Sequence, residues 1–198
     1  MTREIIKRVP NAISIGRLMS VPALAWLAWQ ERQTPFTWFL LAALLSDGID
    51  GFIARRFDCI SRLGALLDSI ADVALMLLIG YGIWVFNPAV YRDHGLIVAV
   101  TVGLWLTENV AALIRYRRPS SFHTGLVRLG VVVFSVFVGV MFVFDFYPWL
   151  LYAAAVISIA AVLEQLAMIW LLPEWTPDVR GGLAEVLRRR RRAGGPAP

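Results

Sequence analysis

The sequence has few charged residues, one cysteine and two histidines. Only 17% of its 198 residues are charged, whereas 59% are hydrophobic. A single cysteine, Cys59, cannot form a disulfide within the chain, and the spacing of Cys and His indicates no zinc site. So little charge is untypical of a soluble domain of this length, and a membrane protein is therefore the first hypothesis.

The net charge of +5 does not indicate that the protein binds nucleic acid, because the basic residues lie between apolar runs and in the two tails. The first residues alternate in charge and lack a small-residue cleavage site, so we expect no cleavable signal peptide. Residues 1–10 instead predict a short amphipathic helix on a membrane surface.

Six apolar segments qualify, some of them marginally, as helices that cross a bilayer, for which about 20 residues are needed. They cover residues 13–30, 37–53, 63–86, 96–114, 125–144 and 149–172. All of the 19 basic residues except Arg32 and Arg92 lie in or next to the N-terminal segment, the second and fourth connections, or the C-terminal tail. This alternation is typical of an even number of spans with both termini in the cytoplasm.

The predicted fold is therefore all-α: a polytopic membrane protein with six transmembrane helices after the short surface helix. We expect a transmembrane catalytic domain over residues 1–173 and a basic, partly disordered cytoplasmic tail over residues 174–198. The arginine run Arg188–Arg192 in this tail fits either attraction to anionic membrane lipid or a topology anchor.

Four aspartates lie at span depth, where charged side chains are rare because they are costly in hydrocarbon. Asp47 and Asp50 are three residues apart, and Asp68 and Asp72 are four apart, so each pair shares one face of its helix. The short connection makes the two helices antiparallel neighbours, and we expect the four carboxylates to converge on one site open to the cytoplasm. Such a cluster needs cations, and its all-oxygen donor set indicates Mg²⁺ or Mn²⁺. A pair of these ions is typical of phosphoryl-transfer sites.

The aspartates belong to the pattern D-x2-D-G-x2-A-R-x8-G-x3-D-x3-D, in which the sequence resembles the CDP-alcohol phosphotransferase (phosphatidyltransferase) family. Its eight fixed positions are filled by Asp47, Asp50, Gly51, Ala54, Arg55, Gly64, Asp68 and Asp72. The segment from Pro10 to Arg17 also resembles the P-N-x-[LI]-[TS]-x-x-R opening of bacterial members.

The resemblance implies transfer of a phosphatidyl-type group from a CDP-linked lipid, CDP-diacylglycerol, to an alcohol with release of CMP. This reaction belongs to phospholipid biosynthesis, and we expect it at the cytoplasmic face of the inner membrane. By resemblance, the first three aspartates ligate metal and hold the CDP diphosphate. Asp72 completes a site for two Mg²⁺ or Mn²⁺ ions and is the general base on the acceptor hydroxyl. Gly51, Ala54 and Gly64 would line the nucleotide pocket, and Arg55 would face its phosphates.

The resemblance also implies a homodimer. Small residues of the fifth segment would allow a close interface between helices. They are Gly125, Gly130, Ser135 and Gly139.

The acceptor alcohol stays open at this point. Length and opening resemble those of phosphatidylglycerophosphate synthases, which makes glycerol 3-phosphate the first candidate, with inositol phosphate and phosphatidylglycerol as alternatives. Ser69 stands where that subgroup commonly has proline, and the fourth connection differs from its pattern. We expect acceptor-binding cations from Arg115, Arg118 and Arg128.

Two further acids, Glu108 and Glu164, also lie at span depth, and we expect each to pair with Arg17, Arg128 or a hydroxyl. A different class of protein, a small cation or proton-coupled transporter, would also carry intramembrane acids. The clustering of the aspartates at one end of the spans, and the lack of a repeat between the two halves, favour the enzyme.

Overall fold

The structure, a computed structural model, is all-helical over the residues that it describes. These are residues 2–57, 62–117, 124–172 and 181–193, with side chains described for 15–46, 70–117, 124–172 and 181–188. The helices are α1 (Thr2–Trp29), α2 (Gln33–Phe57), α3 (Arg62–Phe86), α4 (Ala89–Tyr116), α5 (Gly125–Val143), α6 (Pro148–Leu171) and α7 (Gly182–Ala193). Each of the first six contains one predicted span, to within one residue at its C-terminal end.

Within the part of the chain whose residues are described, three helices, α4, α5 and α6, are long and apolar enough to cross a membrane. Among the described residues, Ile15–Trp29 of α1 and Ile70–Phe86 of α3 form shorter apolar helical stretches. Large apolar side chains also cover the outside: Leu96 is 82% exposed, Trp170 81% and Ile114 77%. Apolar surface on this scale needs a lipid environment, and the chain is therefore an integral membrane protein.

The chain divides into two units, and the first comprises Met1–Asp93 with Met141–Phe146. In this unit α1 packs against both α2 and α3. Three phenylalanine rings form one end of its core: Phe36 lies 5.2 Å from Phe86 and 5.4 Å from Phe142, measured between ring centroids. Gly82 of α3 lets Phe36 approach, because a Cβ at this position would stand 2.6 Å from the Phe36 Cζ atom. These contacts hold the start of α2 against the C-terminal part of α3.

A tight turn reverses the chain between α1 and α2. Glu31 takes a left-handed conformation with φ of 55°. The Arg32 N–H donates to the Leu27 carbonyl at 3.0 Å, and the Glu31 N–H donates to the Ala28 carbonyl at 2.9 Å. These bonds form the Schellman motif that commonly ends a helix, with glutamate in the position that glycine usually takes. The turn therefore lies in the connection predicted between the segments 13–30 and 37–53, and α2 begins directly after it, at Gln33.

The second unit comprises His94–Val140 with Tyr147–Pro198. It begins at a kink in α4, where His94 has non-helical angles (φ −129°, ψ 17°). The predicted fourth span starts immediately after this kink. Near the other end of α4, Ala112 belongs to a buried cluster with Met168 and Ile169 of α6 and Val186 of α7.

Two features differ from the sequence predictions. The helix α1 runs from Thr2 through Pro10 to Trp29, so residues 2–10 are continuous with the first predicted span. The helix α7 was not predicted within the tail; it packs against α6, and its Val186 is only 4% exposed. The disordered part expected after Ala193 lies outside the described residues.

Candidate active site

The four aspartates of the sequence pattern lie on two consecutive helices. Asp47 and Asp50 are part of α2, and Asp68 and Asp72 are part of α3. Since both stretches are helical, the spacings of three and four residues place each pair on one helical face, as predicted. The side chains of Asp47, Asp50 and Asp68 lie outside the described residues, so their convergence on one site stays a prediction.

The other four positions of the pattern are also helical. Gly51, Ala54 and Arg55 follow Asp50 on α2, and Gly64 lies in the first turn of α3. Their side chains, too, lie outside the described residues. What the backbone shows is that the whole pattern occupies the end of α2 and the first part of α3.

Asp72 is the member of the pattern whose side chain is described. Its carboxylate accepts a hydrogen bond from Arg17 of α1, with 3.0 Å between Nη1 and Oδ1. The Asp72 side chain is 53% exposed, whereas the Arg17 side chain is 0% exposed. The carboxylate is therefore held on one side by a buried cation and remains accessible on another.

Sequence reasoning placed Arg17 among the basic residues that set topology and offered it as a partner of Glu108 or Glu164. The structure pairs it with Asp72 of α3. One signal pointed to a buried role, since Arg17 falls inside the apolar segment 13–30, where an arginine needs an acidic partner. Which acid it meets depends on the packing of α1 against α3, which no local pattern specifies.

The predicted acceptor-binding arginines belong to the second unit. Arg115 is exposed, its Nη2 donates to the Leu172 carbonyl at 3.2 Å, and its Cζ stands 5.8 Å from the centroid of the Tyr116 ring. Arg128 is exposed in the first turn of α5. Arg118 lies outside the described residues. An acceptor site built from these side chains stays a prediction.

Glu164 of α6 joins the beginnings of two helices in the second unit. Its Oε2 accepts a hydrogen bond from the Thr124 hydroxyl at 2.7 Å, and its Oε1 accepts one from the Leu183 N–H at 3.1 Å. The Thr124 hydroxyl in turn caps α5 by accepting the Val127 N–H at 3.2 Å. The predicted pairing of Glu164 with a hydroxyl is thus confirmed.

Glu108 of α4 is 2% exposed, and its Oε2 accepts a hydrogen bond from the Asn109 side chain at 3.2 Å. Pairing of Glu108 with Arg17 or Arg128 stays a prediction without support here. Both glutamates lie in the second unit, whereas Asp72 lies in the first.

Within the described residues, no three His, Cys, Asp or Glu side chains stand close enough to hold a metal ion. The donor chemistry can still be tested at Asp72, which offers a partly exposed carboxylate oxygen donor of the kind that Mg²⁺ and Mn²⁺ prefer. Asp72 is therefore chemically suited to a hard divalent cation, and the metal site itself stays a prediction.

Comparison with known proteins covers most of the chain. A family model described as CDP-alcohol phosphatidyltransferase matches residues 7–161, which include most of α1, all of α2 to α5, the first part of α6 and all eight positions of the pattern. A CDP-diacylglycerol–glycerol-3-phosphate 3-phosphatidyltransferase from Aquifex aeolicus is 25% identical over 190 residues, which cover 91% of this chain and 98% of the relative.

Other relatives match over shorter stretches. A cardiolipin synthase (CMP-forming)/mitochondrial hydrolase fusion protein from Schizosaccharomyces pombe is 40% identical over 74 residues, 37% of this chain. A cardiolipin synthase (CMP-forming) from Streptomyces coelicolor is 44% identical over 70 residues, 32% of this chain. The chain spans only 12% of the first of these proteins and 33% of the second. No solved structure matches the chain significantly.

Proposed function

Because the chain belongs to the CDP-alcohol phosphatidyltransferase family, we propose that it transfers a phosphatidyl group from CDP-diacylglycerol to an alcohol, with release of CMP. The observation that carries this proposal is the complete aspartate pattern on α2 and α3, inside the matched region, with Asp72 accessible and held by Arg17. An intramembrane transporter would need acids of this kind as well, but the family match favours the transferase.

The proposed topology has six spans, with both termini and the aspartate site facing the cytoplasm of the inner membrane. Two observations support it. Each predicted span coincides with one of the helices α1 to α6. The basic residues alternate between connections as the positive-inside rule requires.

In the proposed site, Asp47, Asp50, Asp68 and Asp72 hold two Mg²⁺ or Mn²⁺ ions. When bound, these cations would neutralise the charge of the CDP diphosphate. Gly51, Ala54 and Gly64 leave room for the nucleotide, and Arg55 faces its phosphates. These assignments follow the match to the family pattern.

Asp72 is the proposed general base. Its carboxylate takes the proton of the acceptor hydroxyl while the oxygen attacks the phosphorus that carries the diacylglycerol group. A new phosphorus–oxygen bond forms, and the bond to the CMP oxygen breaks, so that CMP leaves with the electron pair. The accessibility of the Asp72 side chain, 53%, supports this role, because a hydroxyl has to reach the carboxylate.

Glycerol 3-phosphate is the proposed acceptor, and Arg115, Arg118 and Arg128 are its proposed binding cations. The support is the relative from Aquifex aeolicus, whose name carries this acceptor and which aligns over 98% of its length. The cardiolipin synthase from Streptomyces coelicolor favours phosphatidylglycerol as the second candidate, and inositol phosphate is the third.

We further propose a homodimer. The small residues of α5 are the suggested contact, with one exception. Gly130 is buried, and a Cβ there would stand 3.8 Å from Ile157 of α6 in the same chain, so this glycine serves packing within the protomer.

The experiment that tests the function supplies purified protein in detergent with CDP-diacylglycerol, Mg²⁺ or Mn²⁺, and one acceptor at a time, with the lipid product identified by mass spectrometry. We expect phosphatidylglycerophosphate with glycerol 3-phosphate. Cardiolipin formed from phosphatidylglycerol would replace the acceptor assignment. Absence of any product from folded protein would contradict the proposed function.

A further inference from the structure

Arg17 differs from the other arginines whose side chains the structure describes. Its side chain has no exposed surface, whereas Arg32, Arg92, Arg115 and Arg128 are all exposed. An exposed arginine at the end of a span can set the orientation of the chain in the membrane and keep its hydration shell. A buried arginine loses that hydration shell. A buried ion pair then contributes little net stability, because the desolvation cost offsets the electrostatic attraction. Neither topology nor stability therefore accounts for the burial of Arg17.

The contact of Arg17 with Asp72 joins two helices. The Arg17 Nη1 on α1 donates to the Asp72 Oδ1 on α3 across 3.0 Å. The Asp72 side chain is nevertheless 53% exposed. The ion pair thus ties the carboxylate to the interior of the first unit and still leaves it within reach of molecules outside.

We propose that Arg17 is a positioning residue for Asp72. Its buried guanidinium group donates a hydrogen bond to Oδ1. This bond fixes the orientation in which the carboxylate binds a metal ion and contacts the acceptor hydroxyl. The inference rests on the proposed function of Asp72. It extends that function to a residue 55 positions away on another helix.

Direct binding of a substrate phosphate by Arg17 is the obvious alternative, and the burial of the side chain argues against it. A phosphate oxygen has to approach the N–H groups within hydrogen-bond distance, and a side chain with 0% exposure offers no path for that. Arg17 therefore acts through Asp72. The planar fork of the guanidinium suits this task, since it restrains a carboxylate more tightly than the single ammonium of lysine.

The test compares Arg17→Met and Arg17→Lys with the wild type. Mn²⁺ binding to the purified protein in detergent is measured from the electron paramagnetic resonance signal of free Mn²⁺. The kcat and KM for CMP release are measured on the same samples. Partners that orient metal ligands typically change metal affinity or activity about 10–100-fold, and we expect Arg17→Met to lower both Mn²⁺ affinity and kcat within this range. The KM for CDP-diacylglycerol should change little, and Arg17→Lys should recover part of the loss.

The control is Arg32→Met, the same substitution at an exposed arginine in the turn between α1 and α2. It should leave Mn²⁺ affinity and kcat at their wild-type values. Folding of each variant is followed by size-exclusion profile and thermal unfolding. If Arg17→Met does not fold, the Mn²⁺ affinity of Arg17→Lys provides the test, because lysine keeps the buried positive charge but lacks the planar guanidinium group.

Wild-type Mn²⁺ affinity in folded Arg17→Met, or in Arg17→Lys where the methionine variant does not fold, would overturn the proposal. A lower melting temperature with unchanged Mn²⁺ affinity would also overturn it, since that result indicates a structural role alone. Failure of the proposed function would give a different result, because the wild type would then release no CMP with any acceptor. The Mn²⁺ comparison would still decide the role of Arg17.

Discussion

Replacing Gly182 with alanine is expected to release α7 from the second unit. Gly182 begins α7 with a φ of 56°, a conformation that residues with a side chain rarely adopt. A Cβ there would collide with the carboxylate of Glu164. That carboxylate accepts the N–H of Leu183 at 3.1 Å and so anchors the first turn of α7. The substitution thus strains the backbone and displaces the anchor together.

The size of the effect follows from these two losses. A left-handed conformation costs a residue with a Cβ about 1–2 kcal/mol. A hydrogen bond to a charged acceptor contributes about 1.5–3 kcal/mol. Against this, burial of Val186, the apolar side chain that is buried among residues 182–188 of α7, contributes about 1.5–3 kcal/mol. The loss is comparable to the docking energy itself. Even about 2.5 kcal/mol raises the ratio of undocked to docked helix roughly 60-fold.

Limited trypsin digestion in detergent measures this release, because α7 contains the arginine run Arg188–Arg192. Cleavage follows the population of the open form when opening is fast relative to cleavage. We expect the initial rate of cleavage in α7 to rise at least about tenfold in Gly182→Ala, within the 60-fold shift estimated above.

The matched control is Gly103→Ala in the middle of α4, where a Cβ would meet nothing within 4 Å. This variant should be cleaved at the wild-type rate. Equal rates for Gly182→Ala and Gly103→Ala would refute the reasoning, because they would show that neither the left-handed backbone nor Glu164 holds α7 in place.

Three other predictions concern the first unit and the metal. Gly82→Ala should lower the free energy of unfolding by about 1–3 kcal/mol through overpacking against Phe36. Gly80→Ala on the same helix should lower it less, because a Cβ there would stand 3.4 Å from its nearest neighbouring atom. Equal melting temperatures of the two variants would contradict the packing described. Asp72→Asn should lower the free energy of unfolding by about 1–3 kcal/mol, or the melting temperature by about 2–12 °C, because the buried Arg17 charge then faces a neutral amide. Adding Arg17→Met should restore part of the stability. A melting temperature of Asp72→Asn equal to that of the wild type would refute this. Removal of divalent metal with EDTA should abolish CMP release and readdition of Mg²⁺ or Mn²⁺ should restore it, so activity that persists in EDTA would refute the metal assignment.

The second of these affects how loss of activity in Asp72→Asn is interpreted. If that variant is both inactive and unstable, the inactivity has two explanations. The double variant with Arg17→Met separates them, since it should regain stability without regaining turnover. The general-base assignment therefore depends on activity compared at equal amounts of folded protein.

The first six helices could be predicted from sequence because a bilayer requires an apolar run of known length. Helices α1 to α6 match the six predicted segments for this reason. The placement of the four aspartates on α2 and α3 followed from the same segments. The predicted hydroxyl partner of Glu164 also proved correct, since an acid at span depth has few ways to be satisfied.

The elements that sequence reasoning missed depend on tertiary contacts. In α7, Leu183, Val186 and Leu187 precede or adjoin a run of arginines, and no local pattern shows that Val186 packs against Ala112 and Met168. The contact of Arg17 with Asp72 joins residues 55 positions apart. Both required the three-dimensional arrangement of neighbouring helices.

The central claim is that the aspartate pattern on α2 and α3 transfers a phosphatidyl group from CDP-diacylglycerol. Its most direct test is metal-dependent release of labelled CMP by the wild type and by Asp68→Asn, at equal amounts of folded protein and with glycerol 3-phosphate as acceptor. We predict release by the wild type in Mg²⁺ or Mn²⁺ and only the background of protein-free micelles in the variant. Equal release by the two proteins would contradict the claim.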